Sequence, residues 1–207
     1  MKEPRLYCIL DLGYTPEKNA SSVTAELLAG GADLLQLRAK GHDSAIIRRI
    51  AETLIPLCRA AGVPFILNDF PELAVELGAD GVHIGQDDGP LATARKIMGS
   101  GKLIGRSTHS LDQARAALAE GFDYIGFGPL FPTPTKAGRP GIGMQDIAAM
   151  ERDVGSLIPA FCIGGIKRAN LTEVLAAGAR RVVIVSDLLT AADVCAATRE
   201  ARTALNG

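Results

Sequence analysis

Two aspartates, Asp69 and Asp88, close short apolar runs that turn polar at their ends, PFILND and GVHIGQDD. Carboxylates at the ends of neighbouring strands suit Mg²⁺, which takes oxygen ligands and completes its shell with substrate phosphate oxygens. Either aspartate can instead cap the helix that follows it. Asp87 adjoins Asp88, and adjacent side chains diverge, so one of the two points inward. Arg38 and Lys40 in QLRAK and Lys136 in TPTK are cations that can neutralise a diphosphate. Gly164–Gly165 and Val185–Ser186 follow two apolar runs and can offer backbone amides to a phosphate. The alternative is that the glycine pair only turns the chain. His83 lies within an apolar run and reads as a satisfied core histidine. His109 is divided between a site role and a helix-start role, and His42 after Gly41 reads as solvated. The chain has no Cys/His nucleophile arrangement and no glycine-rich nucleotide loop, and GFG at 126–128 does not open a helix.

These residues need a scaffold, and a recurring pattern supplies one. LLAGGADLLQLR (27–38), VELGADGVHIG (75–85), ALAEGFDYIGFG (117–128) and VLAAGARRVVIVS (174–186) share a form. Each is a helical apolar stretch, a glycine suited to a left-handed helix end, a small or acidic residue, then an apolar run. The units are spaced to hold two strand–helix pairs each. The strands are expected at RLYCIL, DLLQLR, PFILND, DGVHIG, KLIGRS, DYIGFG, PAFCIGG and RVVIVS. Helices such as 44–62 and 110–121 lie between them, the second with Ser110 as N-cap. Eight alternating units predict a parallel sheet with right-handed crossovers, closed as a (β/α)₈ TIM barrel over residues 1–207 in one domain. An open flavodoxin-like sheet would need fewer units. In such a barrel the chemistry collects at the C-terminal strand ends, where the polar residues above are concentrated.

Bulk properties exclude several classes. The chain has 207 residues, 47% of them hydrophobic and 22% charged, with a net charge of −1. No global field therefore favours nucleic acid or a membrane surface. With no Trp and 4% aromatics, base-stacking platforms are not expected. Cys8, Cys58, Cys162 and Cys195 lack paired spacing and read as reduced thiols. The N-terminal stretch has no secretory core, and no apolar run reaches membrane-spanning length, so a cytoplasmic protein is expected. A homo-oligomer is left open.

QLRAK, LND, GVHIGQDD, GRSTH, GFGPLFPTPTK, IGGI and VSD, in this order, resemble the thiamine phosphate synthase family. The resemblance runs from the first strand to VSD. It implies a transferase that joins a hydroxymethylpyrimidine diphosphate to hydroxyethylthiazole phosphate and releases diphosphate. It implies that Gln36, Leu37, Arg38, Ala39, Lys40, Asn68, Ser107 and Lys136 bind the pyrimidine diphosphate. Of these, Arg38, Lys40, Ser107 and Lys136 would be catalytic. Asp69 and Asp88 would hold Mg²⁺, and Thr133, Pro134, Thr135, Gly165, Val185 and Ser186 would bind the thiazole phosphate. The loop from Gly126 to Gly143 would then touch both substrates, its second half acting as anchor or lid. Two positions depart from the family's pattern. Ala39 stands where an acidic residue is frequent, and Asp187 follows the phosphate anchor where a small residue is common. An inward Asp187 carboxylate would oppose a phosphate.

Three other readings carry their own signatures. A thiazole tautomerase would use His109 for proton transfer and would not need the full set of diphosphate ligands. A sugar-phosphate isomerase would place an acid and a base at facing strand ends. A non-catalytic sensor would keep the phosphate anchor and lose the two aspartates.

Overall fold

A computed structural model describes residues 3–133 and 140–206. Eight parallel strands form a closed barrel in chain order: β1 (Leu6–Asp11), β2 (Leu34–Arg38), β3 (Phe65–Asn68), β4 (Gly81–Ile84), β5 (Leu103–Thr108), β6 (Tyr124–Phe127), β7 (Ala160–Cys162) and β8 (Val182–Ile184). β8 returns to β1 through the register Leu6↔Val182. Helices α1 (Ala20–Gly30), α2 (Ser44–Ala61), α3 (Pro71–Glu76), α4 (Leu91–Met98), α5 (Leu111–Glu120), α6 (Ile147–Met150) and α7 (Leu171–Ala176) form the outer layer, completed by α8 (Ser186–Leu189) and α9 (Val194–Ala204). The expected TIM barrel is the observed one. The seventh and eighth strands are shorter than their apolar runs, because Gly164 and Gly165 take positive φ and Val185 leaves the extended region.

Alternation along each strand divides the apolar residues between two cores. Leu6, Cys8, Leu10, Leu35 and Leu37 face the helices and join the large outer core. Tyr7, Ile9, Leu34, Ile66, Tyr124, Phe161 and Val183 fill the barrel. Two glycines make room inside. A Cβ on Gly105 would lie 2.0 Å from the Tyr124 ring, and one on Gly81 would lie 2.4 Å from the Leu103 carbonyl oxygen.

The repeated pattern has a physical basis at the bottom of the barrel. Gly31, Gly78, Gly121 and Gly178 all carry positive φ just past a helix, as its glycine position requires. The aspartate that follows in three units pins the start of the preceding strand. Asp33 accepts from Leu6 N at 2.9 Å, Asp80 from Phe65 N at 2.8 Å and Asp123 from Ile104 N at 2.7 Å. Arg180 holds that place in the fourth unit, and Glu151 accepts from its amide at 3.1 Å. Asp123 also pairs with Arg95 at 2.6 Å. Asp123→Ala should therefore lower unfolding stability by about 1–3 kcal/mol, since it strands the Ile104 amide. Asp123→Asn, which keeps an acceptor oxygen, should cost less; urea denaturation of both variants checks this.

Among the described residues, no helix is long and apolar enough to cross a membrane. Cys8, Cys58 and Cys162 are buried, and Cys195 is half-buried.

Candidate active site

The same alternation that fills the barrel sends polar side chains inward from the ends of four neighbouring strands. Gln36 and Arg38 come from β2, Asn68 from β3, His83 from β4 and Ser107 from β5. They line one cavity of about 810 Å³, counted to its open mouth. Its opposite side is formed by Pro129, Thr133, Ile163, Gly164, Gly165, Val185 and Ser186.

The floor is a hydrogen-bonded chain of side chains. Gln36 Nε2 donates to the Tyr7 hydroxyl at 2.6 Å, and the Tyr7 and Tyr124 hydroxyls lie 3.1 Å apart. His83 bridges Tyr124 (Nδ1, 3.2 Å) and the Ser107 hydroxyl (Nε2, 2.9 Å). Burial pushes both phenols above their ordinary pKa, so they stay protonated. Arg38 is held from below by the buried Asp11 carboxylate at 2.6 Å, whose other oxygen accepts from Gly13 N at 2.9 Å.

At the rim, Asp69 and Phe70 are, among the described residues, the two non-glycine residues with positive φ, 60° and 54°. This bend turns Asp69 out of the strand line, and Asn68 Nδ2 donates to its Oδ2 at 2.8 Å. Partial burial raises the Asp69 pKa, and the nearby Asp88 carboxylate raises it further, while Lys40 and Arg38 oppose both. Asp88 is fixed by accepting from Gly85 N at 2.6 Å. Arg106 points outward and holds this loop through the carbonyls of Gln86 and Gly89, at 3.1 and 2.8 Å.

Across the mouth, the segment after β6 is tied to the end of β7. Leu130 N donates to Ile163 O at 2.8 Å and Phe131 N to Gly164 O at 3.0 Å. A Cβ on Gly128 would lie 2.0 Å from Ile163 O, and one on Gly164 would lie 2.3 Å from the Pro129 ring. Ile142 N and Gly143 N donate back to Pro129 and Leu130, which closes the base of the loop. The described part of its second half is thus an anchor.

This is a cationic and carboxylate rim facing a glycine-lined anchor, and residues 6–188 match the family model "Thiamine monophosphate synthase". The chain belongs to the thiamine monophosphate synthase family. It is 45% identical to a thiamine-phosphate synthase of Thermus thermophilus, over 89% of this chain and 88% of the relative. It is 41% identical to one from Shouchella clausii, over 96% and 95%. A thiamine phosphate pyrophosphorylase structure from Pyrococcus furiosus superposes with a TM-score of 0.87 at 34% identity, covering 98% of this chain and 95% of that one. Members of the thiamine monophosphate synthase family are transferases of thiamine biosynthesis, and so is this chain.

Within that family frame, Gln36, Arg38, Asn68, Ser107, Thr133, Gly165, Val185 and Ser186 line one cavity, and Lys40, Asp69 and Asp88 cluster beside it. Pro134, Thr135 and Lys136 lie outside the described residues. Leu37 and Ala39 are buried in the outer core, because they alternate with the inward Gln36 and Arg38, so what they can offer the cavity is backbone and not side chain. Asp187 turns away from the anchor and accepts from Arg168 N and Nε at 3.0 and 2.9 Å. His83 is satisfied, as expected of a core histidine, yet it also lines the cavity. His109 does not line it; its Nδ1 donates to Gly128 O, and Ser110 is the helix cap, accepting from Gln113 N at 3.2 Å. The sequence reading missed Asp11, Tyr7 and Tyr124. Strand alternation, counted back from Gln36 and Ser107 across their neighbours, was the signal for them.

Proposed function

We propose that this chain condenses an aminopyrimidine-methyl diphosphate with hydroxyethylthiazole phosphate, by a dissociative substitution assisted by Mg²⁺. The observation that carries this is one cavity with charge-neutralising groups on one side and a phosphate anchor on the other, separated by a largely apolar interior. The bond from the exocyclic methylene to the diphosphate oxygen breaks, and its electron pair leaves with diphosphate. The amino-substituted ring donates electron density to the carbon left behind, and the thiazole nitrogen lone pair then forms the new C–N bond.

Each group has a matching task. Arg38, Lys40 and Lys136 would neutralise the departing diphosphate, with Asn68 and the Ser107 hydroxyl donating to it. Gln36 would hold the pyrimidine edge. Thr133, Pro134 and Thr135, with Gly165, Val185 and Ser186, would hold the thiazole phosphate so that the nucleophile is already in line. Ile9, Ile163 and Val183 would keep water from the cationic carbon. Asp69 and Asp88 fit Mg²⁺: they are oxygen donors only, and their mutual effect on the Asp69 proton is one that a cation would reverse. Bound there, Mg²⁺ would add positive charge beside the leaving diphosphate.

Purified protein should release diphosphate only when both substrates and Mg²⁺ are present. Release without the thiazole phosphate would contradict the reading. So would isomerisation of a thiazole carboxylate phosphate with no release, which is the tautomerase outcome.

A further inference from the structure

We infer that Tyr124, which does not touch the cavity, is a positioning residue that sets which hydrogen-bonding face Gln36 presents to the pyrimidine. The inference rests on the proposed reaction for its substrate and deepens it to specificity.

Tyr124 is buried beneath the floor, and its ring is fixed on several sides. It meets Phe161 edge-on at 6.1 Å and Tyr7 at 5.9 Å, and it occupies the space that Gly105 leaves open. Its hydroxyl lies between those of Tyr7 and the imidazole of His83, at 3.1 and 3.2 Å. Each phenol has one proton to give. The Tyr7 oxygen accepts from Gln36 Nε2, and the arrangement in which Tyr7 then donates to Tyr124 gives the Tyr7 proton an acceptor within the chain. In that arrangement Tyr124 in turn donates to His83 Nδ1, which requires the tautomer with an unprotonated Nδ1. Donation thus runs one way, from β2 through β1 and β6 to β4, with Gln36 as first donor.

That direction decides the amide. With Nε2 held at Tyr7, the planar carboxamide has its carbonyl oxygen at the other edge, beside its second N–H. A ring with an exocyclic amine next to a ring nitrogen matches such an acceptor–donor pair, and an oxo-substituted ring does not. Without the Tyr124 hydroxyl, the Tyr7 proton loses its acceptor. It can then turn toward Gln36 and donate to the carbonyl oxygen of an inverted amide, which shows the opposite face. A structural role alone would affect folding and turnover but would not change this choice.

The test is Tyr124→Phe, which keeps the ring and removes only the oxygen. Calorimetry would compare binding of the 4-amino pyrimidine diphosphate with its 4-oxo analogue, each without thiazole phosphate. Wild type should prefer the amino ring by about 100-fold, and the variant should lose roughly 10-fold or more of that preference. Tyr7→Phe should do the same. The double variant should add nothing, because both act on one chain. An unchanged ratio in both single variants overturns the inference, as does a wild type that binds the two rings alike. Failure of the proposed reaction reads differently: wild type would discriminate between the rings yet form no thiamine phosphate.

Discussion

Asp69→Asn is expected to lower kcat/KM by about 1000-fold, roughly 4 kcal/mol of transition-state stabilisation, while making the protein more stable. Asparagine tolerates the left-handed backbone at this position, φ 60°, and preserves the side-chain shape, so only the charge is lost. Catalysis suffers because one of the two carboxylates placed for the cation is gone. Stability gains because burial and Asp88 both raise the Asp69 pKa, and the ionised form therefore costs the folded state free energy. At a pH below the ordinary carboxylate range, near 4, Asp69 is protonated in both states and the cost vanishes. It appears as the pH rises through the raised value. In EDTA, the variant should thus melt above wild type at pH 8 and with it at pH 3.5. Mg²⁺ should raise the wild-type Tm at pH 8 and leave the variant's nearly unchanged. A variant that melts with wild type at pH 8 would remove the electrostatic account, and one that keeps full activity would remove the metal assignment.

The scaffold was legible because its signals are local. Each glycine that ends a helix does so through its own φ, and each strand declares itself by a short apolar run. Gln36, Arg38, Asn68 and Ser107 could be placed at strand ends for the same reason. Leu37 and Ala39 came with the QLRAK resemblance, and alternation sends their side chains to the helix layer. Tyr7 and Tyr124 were not legible as site residues. They look like ordinary apolar positions early in two strands, and only barrel closure brings their hydroxyls to 3.1 Å. The turn of Asp187 toward Arg168 likewise depends on the packing of two distant loops, and no spacing announces it. The aspartates of the repeat were visible as a pattern, but their task of holding a neighbouring strand's amide is a property of the assembled barrel.

Arg38→Leu should be damaging twice over, and the two losses should separate. Arg38 lines the cavity, so its removal takes a cation from the diphosphate side, with a fall in kcat/KM expected on the order of 100-fold or more. It also leaves Asp11, whose side chain is 4% exposed, as a buried carboxylate without its guanidinium. Breaking a buried pair from one side costs about 3 kcal/mol. Asp11→Leu removes the carboxylate partner instead, but Arg38 is nearer the solvent at 15% exposure, so its stability loss should be smaller. Asp11→Leu also frees the Gly13 amide and removes the carboxylate that holds the guanidinium from below, so KM for the pyrimidine diphosphate should rise more than kcat falls. The double variant Arg38→Leu/Asp11→Leu should regain most of the lost stability, since apolar pairs replace buried ion pairs at little cost. It should not regain activity. Urea denaturation of the four proteins gives the coupling between the two residues, and steady-state kinetics gives the catalytic loss. If the double variant recovered turnover together with stability, Arg38 would be acting as a structural partner of Asp11 and not on the leaving group.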